Sequence, residues 1–158
     1  MAEVPARPRR SDFRFFWPTT VRWGDMDAFG HVNNATYCTY FESARIGFLE
    51  RWGLTFPGDG AGAPVVVSQT IHYRAQVHYP ARLEIGVRCA GVRHRSFVLE
   101  YGIFREGSGD LVGDGNTVLA WVDARVGRAV AVPEELRERL TRNEGNRRAA
   151  EAAESDPS

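Results

Sequence analysis

The stretch Arg22-Trp23-Gly24-Asp25-Met26-Asp27-Ala28-Phe29-Gly30-His31-Val32-Asn33-Asn34 decides how this chain is read. Two carboxylates, a histidine, glycines and two asparagines crowd a short loop-like run, and an amphipathic helix pattern follows at once. An acid just ahead of a helix N-terminus stands beside backbone N–H groups that have no intrahelical partner. That pairing suits attack on a carbonyl whose oxygen becomes negatively charged. The alternative is an Asx-rich turn that only caps the helix. Asn33 and Asn34 already suffice for capping, which leaves Asp25 and Asp27 surplus to that purpose. The run Asp25-x-Asp27-x-x-Gly30 also looks like the start of a calcium loop. Such a loop needs an Asp or Asn at its fifth position and a Glu at its twelfth, where this chain has Phe29 and Thr36. That count excludes calcium.

Working outward, Asn33 or Asn34 is the expected N-cap, and Tyr37, Tyr40, Phe41, Ala44, Phe48 and Trp52 recur at helical spacing. With Gly53 as the stop, the helix spans 35–52, roughly 27 Å at ~1.5 Å per residue. Upstream, Phe13–Trp23 reads as a strand broken by Pro18, and residues 1–12, rich in proline and arginine, as a disordered arm. Downstream, Phe56–Pro64 is a Gly/Pro loop. Strands follow at Val65–Tyr79, Arg82–Arg93, Arg95–Arg105 and Leu111–Asp123, with a turn at 106–110 and an interruption at Tyr79-Pro80-Ala81. Gly113 and Gly115 should bulge or kink the last strand. Pro133 opens a short helix reaching Leu140, and 141–158 reads as a charged, disordered tail. One helix followed by long antiparallel strands gives an α+β domain over 13–140, with the helix packed on the sheet.

Composition narrows the function classes. With 158 residues the chain reads as one domain, and 20 Lys+Arg balance 20 Asp+Glu, so charge points to neither nucleic acid nor membrane. Cys38 and Cys89 have no metal-ligand spacing and read as reduced thiols of a cytoplasmic protein. No apolar run has the length of a membrane span, and Met1–Asp12 lacks the apolar stretch of a secretory signal. His31, His72, His78 and His94 show no zinc-site spacing, so no metal is expected. There is no Gly-x-Ser-x-Gly elbow. Gly58, Gly60 and Gly62 lack the strand–helix unit of a dinucleotide site. Arg93-His94-Arg95 lies between two strands and reads either as a solvated hairpin turn or as a clamp for phosphate groups.

The pattern Arg22-x-x-Asp25-x-Asp27-x-x-Gly30-His31-Val32-Asn33-Asn34-x-x-Tyr37-x-x-Tyr40-x-Glu42-x-x-Arg45 resembles the signature of hot-dog-fold acyl-CoA thioesterases, of the Pseudomonas-type 4-hydroxybenzoyl-CoA thioesterase and YbgC-like kind. Weaker likeness continues through Val65-Val66-Val67-Ser68, the arginine turn and Val118–Asp123, covering about residues 14–140. The resemblance implies a curved antiparallel sheet wrapped around one long central helix. It makes Asp27 the catalytic carboxylate, as nucleophile or as general base for water. The N–H of Asn34, with Gly30, shapes the oxyanion end, and Asp25, His31, Asn33 and Glu42 organise the loop and helix. Arg93, His94 and Arg95 become contacts for coenzyme A phosphates. It further implies a homo-oligomer, dimer or tetramer, with active sites between subunits, and no cofactor beyond the coenzyme A of the substrate. Trp23, Tyr37 and Phe41 are candidates for the acyl pocket. This chain departs from the family at Pro80-Ala81-Arg82, where relatives often carry an acid.

The expected activity is therefore hydrolysis of an acyl-CoA to a carboxylic acid and free coenzyme A. A thioesterase acting on carrier-protein thioesters and a non-catalytic acyl-CoA binding module are the alternatives. The acyl group is not legible, because the aromatic residues of the helix serve equally well as core.

Overall fold

In the computed structural model, which describes residues 6–54 and 62–142, β1 (Phe15–Thr20) precedes α1 (Thr36–Arg51). Then come β2 (Ala63–Tyr73), β3 (Arg82–Val92), β4 (Ser96–Arg105), β5 (Leu111–Asp123) and β6 (Arg128–Ala129). Residues 134–142 form a second helix, α2. The strands make one antiparallel sheet in the order β1-β3-β4-β5-β2, with the short β6 beside β5. β3, β4 and β5 are successive neighbours, whereas β1 and β2 form the two edges.

Burial of the aromatic stripe places α1 on the sheet. Tyr37, Tyr40, Phe41, Ala44, Phe48 and Leu49 are buried. Phe41 stacks on Tyr101 of β4 at 4.1 Å, and Phe48 meets Phe15 of β1 edge-on at 5.5 Å. Each fully buried side chain of this size contributes about 1.5–3 kcal/mol. The helix has 16 residues and is slightly shorter than the 35–52 span read from periodicity. The N-cap is Ala35, which has no side chain to cap with, and neither asparagine takes that place; Asn33 instead shapes the turn before it, its Oδ1 accepting from the Ala35 N–H at 2.9 Å. At the other end the Leu54 N–H returns to the Leu49 carbonyl and the Gly53 N–H to that of Glu50. Gly53 takes φ +93°, so the predicted glycine stop is a Schellman cap.

Three strand expectations shift. Pro18 does not break β1; it lies within this edge strand, opposite Glu84, where no second neighbour needs its missing N–H. Part of the supposed arm is also docked: Arg10–Asp12 form a 3₁₀ turn, and the Arg10 guanidinium donates to Glu84 at 2.8 Å while lying over the Phe16 ring. β2 stops at Tyr73 instead of running to Tyr79. The N–H groups of Arg74 and Ala75 both turn to the Val112 carbonyl, at 2.9 and 3.1 Å. There β5 bulges, since Ile103 pairs with Gly113 but Phe104 with Leu111, leaving Val112 extra. The expected bulge is thus next to Gly113, whereas Gly115 answers a different need: a Cβ there would collide with the Thr70 carbonyl oxygen of β2. Residues 1–5, most of the Gly/Pro loop (55–61) and the tail from 143 onward lie outside the described residues.

Candidate active site

The two aspartates of the opening run are separated by what holds them. Asp25 is buried, at 4% exposure. Its Oδ2 accepts from the Arg22 N–H at 2.9 Å and from the Tyr40 hydroxyl at 2.7 Å, and Oδ1 from the Arg22 guanidinium at 3.2 Å. Its carbonyl accepts the Asn33 N–H. Burial alone would raise the Asp25 pKa, but the Arg22 N–H, the Tyr40 hydroxyl and the Arg22 charge together hold it below the ordinary value. Burial and the hydrogen bond to Asp25 push Tyr40 upward in turn. Asp25 is therefore the peg that fixes the loop to α1, and it is not surplus to structure.

Asp27 is held far more loosely. Its Oδ1 accepts only the Phe29 N–H, at 2.9 Å, and its Oδ2 has no partner among the described residues. The backbone of the loop does the positioning: the Asp27 N–H donates to the His31 carbonyl and the Gly30 N–H to the Asp27 carbonyl, both at 3.0 Å. Gly30 takes φ +81°, a conformation that favours glycine. Its N–H is already spent, so Gly30 supplies the turn and not a free donor. The His78 ring, at 2.7 Å from the Gly30 carbonyl, closes the loop from the far side.

Asp27 opens into a cleft of about 310 Å³ that it shares with His31, Asn34, Tyr37, Tyr73 and Arg74. The Asn34 N–H has no acceptor among the described residues. It stands at the entrance of α1, where the helix dipole favours negative charge. Asp27, with one unpartnered carboxylate oxygen, and Asn34, with an unspent N–H, thus border one small space. A base or nucleophile on one side and an oxyanion donor on the other are what carbonyl hydrolysis needs. A larger, open groove of about 570 Å³, bounded by Tyr79, Arg82 and Glu106, holds none of the expected catalytic residues. Among the described residues no group of His, Cys, Asp or Glu could hold a metal ion.

The other expected residues fall into place as follows. His31 stacks on Phe29 and keeps its Nδ1 3.2 Å from the Val32 carbonyl. Glu42 is exposed, 3.7 Å from Arg45. Of the acyl-pocket candidates only Tyr37 lines the cleft. Trp23 is 72% exposed and edge-on to Tyr79, and Phe41 is consumed by its stack on Tyr101. Arg93, His94 and Arg95 form an exposed turn. The Arg93 and His94 carbonyls accept from Arg137 of α2 at 2.8 and 2.9 Å, which fixes the backbone and leaves the side chains outward. This turn is not beside the Asp27 cleft. Ser96 pairs with Ala120, which pairs with Val65, whereas the cleft borders Tyr73, eight residues farther along β2 and about 26 Å away at ~3.3 Å per residue.

Sequence reading passed over Tyr73, Arg74 and Asp114. The Tyr73 hydroxyl donates to the Asn34 carbonyl at 3.1 Å and ties the end of β2 to the start of α1. A signal did exist for Asp114: a carboxylate between Gly113 and Gly115 inside a strand has no packing reason of its own.

A family model described as the thioesterase-like superfamily matches residues 21–140. The long-chain acyl-CoA thioesterase FadM of Escherichia coli is 33% identical over 122 residues, 76% of this chain and 92% of FadM. The crystal structure of the PA5185 protein from Pseudomonas aeruginosa superposes with a TM-score of 0.80 at 37% identity, covering 88% of this chain and 97% of that one. A Thermus thermophilus thioesterase solved with coenzyme A and zinc superposes with a TM-score of 0.74 at 30% identity, covering 85% and 96%.

Proposed function

Because this chain belongs to the thioesterase-like superfamily and is a thioester hydrolase, we propose that its substrate is an acyl-CoA and that Asp27 carries the reaction. The observation that carries the proposal is the shared cleft, lined by Asp27, whose Oδ2 is unpartnered among the described residues, and by Asn34, whose N–H is unspent. Asp27 takes a proton from water as the water oxygen adds to the thioester carbon, or its Oδ2 attacks that carbon directly to give, once the thiolate has left, an anhydride that water then hydrolyses to the acid and free Asp27. In both routes the carbonyl oxygen gains charge facing the Asn34 N–H, and collapse expels the coenzyme A thiolate. The likeness to FadM and to the coenzyme A-bound Thermus protein supports this leaving group. A narrower kinship with the 4-hydroxybenzoyl-CoA thioesterase type rests on the signature around Asp27.

The proposal includes a homo-oligomer. β2 is an edge strand whose Val65, Val66 and Val67 are 47%, 43% and 65% exposed, an apolar edge that invites pairing. Antiparallel pairing of β2 with its counterpart in a second copy sets the Ala63 end of one strand beside the Tyr73 end of the other. The partner's arginine turn then lies at the same end of the sheet as the Asp27 cleft, three strand spacings or about 14 Å across it. A pantetheine arm bridges such a gap. This arrangement supports phosphate contacts from Arg93 and Arg95 that one chain alone does not offer. The reading also places the protein in the cytoplasm, with two free thiols and, among the described residues, no helix long and apolar enough to cross a membrane.

The test is Asp27→Asn assayed by thiol release against a panel of acyl-CoAs, with a carrier-protein thioester of one matching acyl chain in parallel. Loss of turnover in a folded variant is the expected result. Wild-type turnover by Asp27→Asn removes Asp27 from the mechanism, and selective turnover of the carrier-protein thioester replaces coenzyme A as the leaving group.

A further inference from the structure

Tyr37 brings to the Asp27 cleft a hydroxyl that none of the roles assigned so far uses. The residue lies on the inward stripe of α1 and is 3% exposed. Edge-on contacts to Tyr40, at 5.9 Å, and to Tyr73, at 5.1 Å, hold its ring from two sides. The hydroxyl has no hydrogen-bond partner among the described residues, and unlike that of Tyr101 it is not closed off from solvent. Phenylalanine would fill the same space without an unpaired donor, which costs stability on so buried a ring.

Helix geometry aims this side chain at the oxyanion end. Side chains of an α-helix lean toward its N-terminus, so Tyr37 covers the turn ahead of it, and Asn34 is three residues ahead on the same face. Tyr73 fixes the same point from the sheet. Tyr101, which stacks on Phe41, pairs with Gly115, and Gly115 pairs with Ile71. Tyr73, two residues farther along β2, therefore shares the α1 side of the sheet. It touches the Tyr37 ring, and its own hydroxyl is spent on the Asn34 carbonyl at 3.1 Å. Burial pushes Tyr37 above its ordinary 10.0, with Tyr73 adding to the rise and the Arg105 charge opposing it. Arg105 is held by the carbonyl of Gln76, another residue of the cleft wall, at 2.8 Å. The phenol thus keeps its proton through the neutral range and faces the cleft as a donor.

We propose that Tyr37 is a further catalytic residue of the thioester reaction proposed above, on which this inference rests, its hydroxyl donating to the thioester carbonyl oxygen alongside the Asn34 N–H. In the water route the water oxygen bonds to the carbonyl carbon and its proton passes to Asp27. The carbonyl π pair moves onto oxygen, facing both donors, then returns as the C–S bond breaks and the thiolate departs. Direct attack by Asp27 places charge on the same oxygen. Tyr37 donates a hydrogen bond throughout and gives up no proton.

The experiment compares wild type with Tyr37→Phe on one acyl-CoA that the wild type hydrolyses. Binding of the matching thioether analogue, which lacks the carbonyl, and the urea unfolding midpoint are measured in parallel. Tyr37→Phe should lower kcat by roughly 10²–10³-fold, the effect of removing one oxyanion donor. Its affinity for the thioether should stay within about threefold of wild type, because a contact made as charge develops leaves ground-state binding alone. Its unfolding midpoint should not fall, since the lost hydroxyl pairs with nothing in the described residues. A ring-fluorinated tyrosine at position 37 keeps the ring and the hydroxyl but ionises at lower pH. Its kcat should fall with that ionisation, in a range where the wild type is flat. Wild-type kcat in Tyr37→Phe overturns the proposal, as does a loss of thioether affinity equal to the loss of kcat. Should Tyr37→Phe not fold, a fluorotyrosine enzyme as flat with pH as the wild type overturns it instead. A wild type that releases thiol from no acyl-CoA overturns the thioester reading together with this one, whereas the other outcomes leave that reading standing.

Discussion

Replacing Asp25 and Asp27 by asparagine, one at a time, should split stability from activity between two residues that are chemically identical and two positions apart. Asp25 accepts three hydrogen bonds from charged or polar donors, at 2.9, 2.7 and 3.2 Å, in a site 4% exposed. Asparagine with its oxygen at the Oδ2 position keeps the Arg22 N–H and the Tyr40 hydroxyl as donors, but both bonds become neutral ones, and its NH₂ takes the place of Oδ1, so the Arg22 guanidinium bond and the charge that attracts it are lost. Each hydrogen bond to a charged group contributes about 1.5–3 kcal/mol. Two charge-assisted bonds weakened to neutral ones, at about 1 kcal/mol each, together with the bond lost to the exposed guanidinium make about 2–3 kcal/mol for Asp25→Asn. Asp27 accepts one local N–H, from Phe29, on a partly exposed loop. Asparagine retains an acceptor there, so Asp27→Asn should cost under about 0.5 kcal/mol.

Urea unfolding followed by circular dichroism, at one fixed protein concentration because any oligomer makes the midpoint depend on it, reads both values. The pH dependence adds a signature. The folded-state pKa of Asp25 is held below its ordinary 3.8, so its stabilising contribution is complete above that value and is lost as pH falls through the lower, folded one. The gap between wild type and Asp25→Asn should therefore be constant from neutrality down to about pH 4 and close in stronger acid. The reasoning is refuted if Asp25→Asn unfolds within about 0.5 kcal/mol of wild type, the ordinary scatter of surface substitutions. It is refuted equally if Asp27→Asn is the less stable of the two.

Three further outcomes follow from the fold. Gly115→Ala should destabilise the protein by about 1–3 kcal/mol, because the new Cβ meets the Thr70 carbonyl and must push β2 off β5; thermal unfolding measures it. Arg93→Ala and Arg95→Ala should each raise KM for an acyl-CoA about fivefold, or about 1 kcal/mol, with kcat unchanged, since both side chains are exposed and their proposed role is confined to the phosphates. Steady-state kinetics decides, and unchanged KM in both removes the turn from the coenzyme A site. Val67→Lys puts a charge on the bulged, 65% exposed residue of the β2 edge and should give monomers by light scattering with a weakened response to coenzyme A.

What could be read along the chain was what local chemistry dictates. The aromatic stripe from Tyr37 to Phe48, the Gly53 stop and the bounds of β5 follow from spacing and from glycine's conformational freedom. They appear in the structure within a residue or two. The expected end of β2 failed because nothing local marks it: Arg74 and Ala75 leave the ladder for a carbonyl exposed by a bulge nearly forty residues downstream. Trp23 and Phe41 are candidates for an acyl pocket by residue type alone, which says nothing of their surroundings: Trp23 is exposed beside Tyr79 and Phe41 stacks on Tyr101.

The same distinction explains why the two aspartates could be separated only by family likeness and then by structure. Their sequence contexts are nearly equivalent, because each lies in a turn ahead of a helix. Their roles diverge because Tyr40, fifteen residues on, reaches back to Asp25 with a hydroxyl at 2.7 Å, while nothing comparable reaches Asp27. A carboxylate saturated by donors is a poor base, since each donor stabilises the anion it would have to give up to a proton. The unsaturated one keeps an oxygen free for chemistry. The far wall of its cleft comes from Tyr73 and Arg74 on a different element, and their approach depends on glycines that let β2 and β5 close together. A motif of thirteen residues can therefore supply the carboxylate and the unspent N–H, but the opposite wall of the cleft is a property of the sheet.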